Sequence, residues 1–339
     1  MNINFPKVVL ITGATGAVGP RVVSALHQAG CQIRAFSVDA PKEGMFPQNV
    51  EVLLGDVTDR AALQAAMQGM DAVVHLAALL HIVNPPPEMR EKYERVNVGG
   101  TTTVVEAAIK AGVKRVVLFS TIAVYGVSYG SILNEQSASN PDTFYAETKL
   151  AAEQIVLNVK RKDGQPLGCV LRLGAVYGSR IKGNYERLTN ALARHCFIPI
   201  GSGLNRRTLV YDKDVGQAAV LAVSHPAAAG RVFNVTDGEF HTLNEIIISI
   251  CAALGRKPPW LSLPLGALCL VAGVIEKCRC AVGLKLPAMR AMIDKYTEDI
   301  AVDGSLIQKE LGFIPQYDLN AGWEETVKER NAEKNSFKF

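Results

Sequence analysis

The sequence lacks any dense run of lysine or arginine before its mixed-charge C-terminus, and its formal net charge is only +4 over 339 residues. Nucleic acid is therefore not an expected partner, whereas a small ligand that carries phosphate suits this charge balance. With 48% hydrophobic and 20% charged residues, the chain is long enough for one large globular unit or two joined domains.

Paired cysteines are also lacking. The seven cysteines are an odd number at irregular spacing, which argues against a disulfide framework and favours a reducing compartment. Cys278 and Cys280 lack the usual metal-ligand spacing and have no partner pair, so we interpret them as structural and predict no metal site.

No secretory signal is evident, because no small-residue cleavage site follows an apolar core near the N-terminus, and we expect a cytoplasmic protein. Residues 258–275 carry no charge and approach the roughly 20 residues that span a membrane. Three prolines stand at the start of this stretch, which leaves only Leu265–Ile275 as an uninterrupted helix. We expect that helix to be buried or to face another subunit rather than to contact a membrane.

What the sequence does contain is a strand, a glycine-rich turn and a helix near its N-terminus. An apolar run stops at Gly13, Gly16 and Gly19 and then resumes with helix-forming residues. Gly13 permits a sharp turn, Gly16 removes the side chain that would keep a pyrophosphate from the backbone, and Gly19 lets the helix pack on the strand. The N–H groups at the helix start face the anion. The motif follows the first strand and opens the first helix, so it predicts dinucleotide binding.

The choice of cofactor depends on the end of the second strand. An acidic residue there binds the adenosine ribose and selects NAD, whereas a nearby arginine accommodates NADP. Ser37 occupies this position and is followed by Val38 and Asp39, so neither rule is satisfied. Asp39 would repel a 2′-phosphate and no basic residue lies immediately beside it. We expect NAD and leave NADP open.

Two later strands carry polar residues. His75 lies inside an apolar strand, and we interpret it as a buried core histidine rather than a catalytic one. Ser120 and Thr121 end the strand of residues 114–121. Because open α/β sheets bind ligands at the carboxyl ends of their strands, we expect both hydroxyls at the ligand site.

Tyr145 and Lys149 are four residues apart on a predicted helix and therefore share one face. A phenol is a poor base at neutral pH, but an ammonium nearby favours the phenolate and lowers the pKa of the tyrosine. Such a pair beside a hydroxyl that holds a substrate oxygen is suited to interconverting an alcohol and a ketone.

Further motifs follow in a fixed order, namely Gly55-Asp56-Val57, His75-Leu76-Ala77-Ala78, Asn97-Val98-Gly99-Gly100-Thr101, Ser120-Thr121-Ile122-Ala123-Val124-Tyr125-Gly126 and Tyr145-Ala146-Glu147-Thr148-Lys149. Together with the glycine-rich turn they resemble the extended short-chain dehydrogenase/reductase family, in its NAD-dependent epimerase/dehydratase branch that acts on nucleotide sugars. Weaker similarity continues to Gly312-Phe313-Ile314-Pro315.

The resemblance implies an α/β fold, a Rossmann-type doubly wound parallel sheet with a smaller C-terminal α/β substrate-binding domain. We expect the NAD(P)-binding domain over residues 1–173, with a returning segment near 208–236. The substrate-binding domain is expected over 174–207 and 237–328, and a flexible tail over 329–339.

The resemblance also implies roles for individual residues. Thr121 would orient the substrate hydroxyl, Tyr145 would be the acid/base, and Lys149 would hold the nicotinamide ribose and tune Tyr145. Asp56 and Val57 would contact adenine. The full set expected at the cofactor is Gly13, Thr15, Gly16, Ala17, Val18, Gly19, Ser37, Asp56, Val57, Leu76, Ala77, Ala78, Asn97, Tyr145 and Lys149. The set expected at the substrate is Ser120, Thr121, Asn184 and Arg207.

Asn184 and Arg207 match positions that meet the nucleotide diphosphate in this family, and a guanidinium suits that contact. The alternative for Arg206 and Arg207 is a solvated pair on a strand edge. Ile122 and Ala123 follow Thr121 where dehydratases carry Asp-Glu, so a 4,6-dehydratase is not expected.

We predict an NAD-dependent C4 epimerase of a UDP-hexose type of nucleotide sugar, acting through a 4-keto intermediate. Ala175 stands where many UDP-galactose epimerases have Asn, so the sugar stays open. Open alternatives are a reductase of a 4-keto-6-deoxy nucleotide sugar, a 3β-hydroxysteroid-type dehydrogenase and a cofactor-sensing regulator, which typically lacks the Tyr/Lys pair. By the same resemblance we expect a homodimer that pairs through the helices of residues 93–111 and 144–160.

Overall fold

The computed structural model describes residues 6–80, 82, 85–264, 266 and 296–336. The strands, in chain order, are β1 (Val8–Thr12), β2 (Gln32–Ser37), β3 (Glu51–Leu54), β4 (Ala72–His75), β5 (Arg115–Thr121), β6 (Ile132–Leu133), β7 (Gly168–Leu173), β8 (Ala175–Tyr177), β9 (Arg206–Arg207), β10 (Leu209–Tyr211), β11 (Val232–Val235), β12 (His241–Thr242) and β13 (Ala301–Val302).

The α-helices are α1 (Gly19–Gln28), α2 (Arg60–Ala66), α3 (Met89–Tyr93), α4 (Gly100–Ala111), α5 (Phe144–Leu157), α6 (Asn184–Ala193), α7 (Asp212–Ser224), α8 (Leu243–Ala253), α9 (Ser305–Leu311) and α10 (Leu319–Ser336). A π-helical turn (Glu94–Gly99) joins α3 to α4, and 3-10 turns occupy Ile122–Tyr125 and Pro226–Ala228.

A seven-stranded sheet lies at the centre, in the order β11-β7-β5-β4-β1-β2-β3, with every neighbouring pair parallel. The chain runs outward from β1 through β2 to β3 and then crosses back to β4 on the other side of β1. This reversal is the switch point of a doubly wound sheet, where the carboxyl ends of β1 and β4 open a crevice for a ligand. The expected Rossmann-type fold is confirmed.

Apolar strand residues fill both faces of the sheet, as a parallel sheet requires. Helices α1, α7 and α9 cover one face, and α2, α4 and α5 cover the other. A third cluster lies outside the sheet, where Tyr177 stacks on Trp323 with ring centroids 4.6 Å apart and α8 packs against α10. Small two-stranded sheets flank this cluster, with β8 paired to β10 and β9 paired to β12.

The chain between residues 208 and 236 returns to the main sheet. Its helix α7 packs on α1, and its last strand, β11, forms the edge of the sheet beside β7. The expected division of the chain into two domains, with a segment that returns to the first, stays a prediction.

Several expected elements differ in extent. The helix expected over residues 93–111 begins at Met89 and contains the π-helical turn, and the helix expected over 144–160 ends at Leu157. Strand β4 ends at His75, where the chain leaves the sheet at the ligand crevice. Asp59 caps α2, accepting hydrogen bonds from the N–H groups of Ala61 and Ala62.

Among the described residues, no helix has the length and apolar character to cross a membrane. Residues 258–264 are not helical, and Leu265–Ile275 lie outside the described residues except for Gly266. Cys31, Cys169, Cys196 and Cys251 are free thiols, whereas Cys269, Cys278 and Cys280 are not among the residues described.

Gly19 at the start of α1 provides a test of how closely this helix approaches the strand. A Cβ there would overlap the backbone carbonyl of Ala14, whereas a Cβ on Gly99 would meet nothing closer than 3.8 Å. We expect Gly19→Ala to lower the free energy of unfolding by about 1–3 kcal/mol because the helix must move. Gly99→Ala, the control, is expected to raise it by about 0.5–1 kcal/mol because alanine favours the helix. Urea unfolding followed by circular dichroism measures both, and equal effects would contradict this packing.

Candidate active site

The glycine-rich turn is held against two strands of the sheet. Gly13 has a φ of +68°, and its N–H donates to the carbonyl of Phe36 in β2 at 2.8 Å. A Cβ on Gly13 would come 2.7 Å from the backbone nitrogen of Ala77, so only glycine fits. No side chain caps the N-terminus of α1. The turn therefore leads into a helix start that no side chain caps, an arrangement that fits the pyrophosphate of a dinucleotide.

Ser37 joins this turn to the second strand. Its hydroxyl accepts a hydrogen bond from the N–H of Thr15 at 3.1 Å, and its carbonyl accepts one from Gly55 at 2.9 Å. Val38 and Asp39 follow it on the surface. The described cation of β2, Arg34, is engaged by Glu51 at 2.7 Å. The edge where an adenosine ribose would lie thus has an exposed carboxylate and an engaged arginine, which favours NAD over NADP.

Asp56 and Val57, both expected at adenine, are oriented differently. Asp56 is exposed, and its carboxylate accepts hydrogen bonds from the N–H and hydroxyl of Thr58 at 2.8 and 2.9 Å. The side chain of Val57 is buried in the core beside Gly100 of α4. The side chain of Val57 therefore packs in the core, and a contact between Val57 and adenine stays a prediction.

His75 is a core residue, as the sequence indicated. Its Nδ1 lies 2.7 Å from the hydroxyl of Thr12 in β1, and its Nε2 lies 3.1 Å from the hydroxyl of Thr101 in α4. Burial, with a smaller effect from the charge of Lys149, lowers the pKa of His75 to about 3. The ring is neutral at physiological pH and links three elements below the crevice.

Asn97 links the chain beyond β4 to α5. It is buried in the π-helical turn, and its side-chain amide accepts from the N–H of Leu79 at 2.8 Å and donates to the carbonyl of Leu79 at 3.3 Å. It also donates to the hydroxyl of Thr148 at 3.1 Å, and that hydroxyl donates to the carbonyl of Tyr145 at 3.0 Å. Asn97 therefore fixes the segment Leu76–Ala78 relative to Tyr145, and direct contact with the cofactor stays a prediction.

Tyr145 and Lys149 lie at the start of α5, whose first turn is capped by the hydroxyl of Thr143. Tyr145 is half-buried and Lys149 is 3% exposed. Burial, together with the nearby Tyr93, raises the pKa of Tyr145 to about 12, and burial lowers the pKa of Lys149 to about 8 despite the opposing charge of Glu153. Desolvation is the largest effect on the pKa of Tyr145, and the tuning of that pKa by Lys149 stays a prediction. The phenol is protonated at neutral pH.

Below Lys149, one helical turn further, a buried ion pair was missed by the sequence analysis. Glu153 is 1% exposed, and its carboxylate receives the Arg172 guanidinium at 2.6 Å. The Arg172 guanidinium also lies 4.7 Å from the ring centroid of Tyr125. An arginine inside the apolar strand Gly168–Leu173 was the available signal, since a charge placed there needs a buried partner.

Ser120 contacts this ion pair. Its side chain is 4% exposed and donates a hydrogen bond to the carboxylate of Glu153. Alternation along β5 turns Ser120 towards α5, and its expected substrate role stays a prediction. Thr121 is half-buried, and its hydroxyl accepts the N–H of Ala123 at 3.2 Å in a cap that fixes the end of β5.

Arg206 and Arg207 are not a solvated pair. Arg206 binds Asp299 at 2.6 Å, and Arg207 donates to the carbonyl of Tyr296 at 2.9 Å and lies 3.6 Å from Glu298. The side chain of Arg207 is 14% exposed. Asn184 is exposed at the first position of α6. The pairing of Arg207 with Glu298 means that any diphosphate there must share the guanidinium with a carboxylate.

The parallel sheet, the glycine-rich turn at its switch point and the Tyr/Lys pair together define an NAD-dependent oxidoreductase or epimerase. The chain belongs to the NAD dependent epimerase/dehydratase family, whose sequence profile matches residues 9–236. NAD is the cofactor of this family.

Individual proteins are similar over nearly the whole chain. A UDP-glucose 4-epimerase of Vibrio cholerae is 28% identical over 95% of this chain and 95% of its own. An N-acetyl-alpha-D-glucosaminyl-diphospho-ditrans,octacis-undecaprenol 4-epimerase of Escherichia coli O157:H7 is 27% identical over 94% of each. Among solved structures, MoeE5 in complex with UDP-glucose and NAD has a TM-score of 0.75 and 25% identity over 96% of this chain and 99% of its own.

Substitution of Lys149 is expected to affect activity and the free energy of unfolding in opposite directions. The folded-state pKa of Lys149, about 8, lies below the value of an exposed lysine, so the charged form destabilises the fold by about 3 kcal/mol below pH 8. We expect Lys149→Met to lose NAD binding and activity yet to unfold at higher urea concentration than wild type at pH 7. The difference in free energy of unfolding between Lys149→Met and wild type should shrink between about pH 8 and 10.5. In that range the unfolded state of wild type binds more protons than the folded state, so wild type gains stability as the pH rises.

The control is Lys110→Met, which removes an exposed lysine from α4 and is expected to change the free energy of unfolding at pH 7 by less than Lys149→Met does. A Lys149→Met protein that unfolds more easily than wild type at pH 7 would contradict the assignment of a costly buried ammonium.

Proposed function

We propose that the protein is a C4 epimerase of a nucleotide hexose of the UDP-hexose type, acting through a transient 4-keto intermediate. The observation that carries this proposal is the link between the start of α5, which carries Tyr145 and Lys149, and the chain that follows β4, through the hydrogen bonds of Asn97 and Thr148. Bound NAD supplies reversible hydride transfer at the substrate carbon.

In this proposal the phenol of Tyr145 exchanges a proton with the C4 oxygen of the sugar, and Thr121 orients that oxygen. Because burial raises the pKa of Tyr145 to about 12, a cation must lower it before the phenolate can act as a base. Lys149 lies one turn further along the same helix face and carries that charge in its protonated form. The same tyrosine then returns the proton when the ketone is reduced.

Two features support epimerisation over elimination of water. Ile122 and Ala123 follow Thr121, and the first is buried, so neither position offers an acid to expel a C6 hydroxyl. The relatives from Vibrio cholerae and Escherichia coli are both named 4-epimerases of hexoses that carry a diphosphate. We extend to this chain the use of a diphosphate-linked hexose, with Asn184 and Arg207 as its diphosphate contacts.

The proposed homodimer would pair through α4 and α5. These helices pack against each other within one chain, so that each subunit presents an adjacent pair. Two such pairs, related by a two-fold axis, would form a four-helix contact.

Mass spectrometry of the nucleotide released from denatured protein tests the use of the cofactor. An epimerase regenerates its cofactor within each turnover, so retained NAD is expected. Release of NADPH alone would favour the alternative, a net reductase of a 4-keto nucleotide sugar.

Tyr145→Phe tests the proton-transfer role. The substitution keeps the ring but removes the hydroxyl, so we expect the epimerisation rate to fall by about two to four powers of ten, with NAD still bound. Tyr129→Phe is the control, since Tyr129 is 87% exposed. Rates are measured by chromatographic separation of the two C4 epimers, and a Tyr145→Phe rate close to wild type would refute the assignment.

Arg207→Ala tests whether the ligand carries a diphosphate. Truncating one side of a desolvated charge contact is expected to weaken UDP binding by about 2–4 kcal/mol without changing NAD affinity, because the glycine-rich turn holds the pyrophosphate of NAD. Arg206→Ala, which removes the neighbouring pair with Asp299, is the matched control. Isothermal titration measures the affinities. Wild type that fails to bind UDP, or binds it as tightly as Arg207→Ala does, would overturn the nucleotide-sugar proposal and favour a substrate without phosphate, such as a steroid.

A further inference from the structure

Two stretches of the chain contain no acidic residue, namely residues 187–211 and 246–275. The structure brings parts of them together. Ile200 and Leu263 form a parallel bridge, in which the N–H of Leu263 donates to the carbonyl of Pro199 and the N–H of Gly201 donates to the carbonyl of Leu263, both at 2.9 Å. The two stretches therefore run side by side in the same direction.

Large apolar side chains project from this region into solvent. Trp260 is 93% exposed, Ile198 is 51%, Leu261 is 50% and Leu263 is 36% exposed. We refer to these four residues as the Trp260 patch. A single exposed apolar residue is normal on a protein surface, whereas a group of exposed apolar residues marks an interaction surface. The other tryptophan of the chain, Trp323, is 1% exposed.

Basic residues lie at one end of the Trp260 patch. Arg194 and Lys257 are exposed, and Arg256 is half-buried with its guanidinium against the ring of His195. Arg194 comes before Ile198 in one stretch, and Lys257 comes before Trp260 in the other. Because the two stretches run parallel, both cations lie at the same end of the Trp260 patch. Indole rings and aliphatic side chains beside cations match the boundary between acyl chains and anionic headgroups.

We propose that the Trp260 patch docks this protein on the surface of an anionic phospholipid membrane. A second copy of the chain is a poorer occupant, because a two-fold contact through the patch would place these cations near their own symmetry mates with no carboxylate in either stretch. The contact is peripheral, and it differs from the expectation that the sequence around residue 258 faces protein. The proposal does not depend on the reaction assigned above and is tested without substrate.

Fluorescence tests the insertion of Trp260 directly. In the Trp323→Phe variant, Trp260 is the remaining tryptophan, and we expect its emission to shift to the blue and to resist acrylamide quenching when phosphatidylglycerol vesicles are added. Vesicles that contain brominated acyl chains should quench it. Phosphatidylcholine vesicles should have little effect, since the cations then lack anionic partners.

Flotation with phosphatidylglycerol vesicles tests separately the apolar contribution of Trp260 and the contribution of the neighbouring cations. Trp260→Ala should reduce the bound fraction at limiting lipid, and Arg256→Gln with Lys257→Gln should weaken partitioning by about fivefold per charge removed. Controls are Tyr129→Ala, which removes an aromatic ring that is 87% exposed elsewhere, and Lys42→Gln with Lys162→Gln, which removes two exposed charges elsewhere.

Binding that falls in the patch variants but not in the controls supports membrane docking. Equal flotation of all variants, or no vesicle-induced shift of Trp260, overturns it. A blue shift that depends on protein concentration without vesicles also overturns it, because the occupant would then be a second copy of the chain.

Discussion

Hydrogen bonds between buried polar side chains join β1, β4, α4 and α5 beneath the ligand crevice. The two ring nitrogens of His75 form hydrogen bonds with the hydroxyls of Thr12 and Thr101, and Asn97 holds both backbone groups of Leu79 while donating to Thr148. Each of these groups would cost free energy if it were buried without a partner, so the elements that carry them can approach only in the register that satisfies all of them. The position of the Tyr/Lys pair relative to the glycine-rich turn follows from this register.

Charge burial sets the chemical state of the candidate site. The pair of Glu153 and Arg172 is close to fully buried, and Lys149 lies one turn above it with its pKa lowered by desolvation. An ammonium that is costly to keep charged in the free protein gains stabilisation from any negative charge that develops beside it. A phenolate at Tyr145, which the proposed mechanism uses, would be such a charge.

The sequence was sufficient for the fold because its signals were local. The spacing of Gly13, Gly16 and Gly19 specifies a turn and a helix start, and long apolar strands between helices specify a parallel sheet. The same reasoning placed His75 in the core. The contact of Ser120 with Glu153 was not predicted, because the two hydroxyls at the end of β5 alternate between faces and only the position of Glu153 on α5 shows which face is buried. The ion pair of Arg207 joins residues far apart in the chain, so no spacing rule reveals it.

The wide turn at Glu94–Gly99 has a consequence for insertions and deletions in this part of the chain. A π-helical turn contains one more residue than an α-helical turn needs, and loss of that residue would rotate α3 by about 100° relative to α4. The hydroxyl of Tyr93, which donates to the carbonyl of Leu80 at 2.7 Å, would then leave the crevice side. Related sequences that lack one residue in this turn are therefore expected to differ also at the position of Tyr93 or in the loop that contains Leu80. The number of residues in the turn thus indicates how this side of the crevice is built.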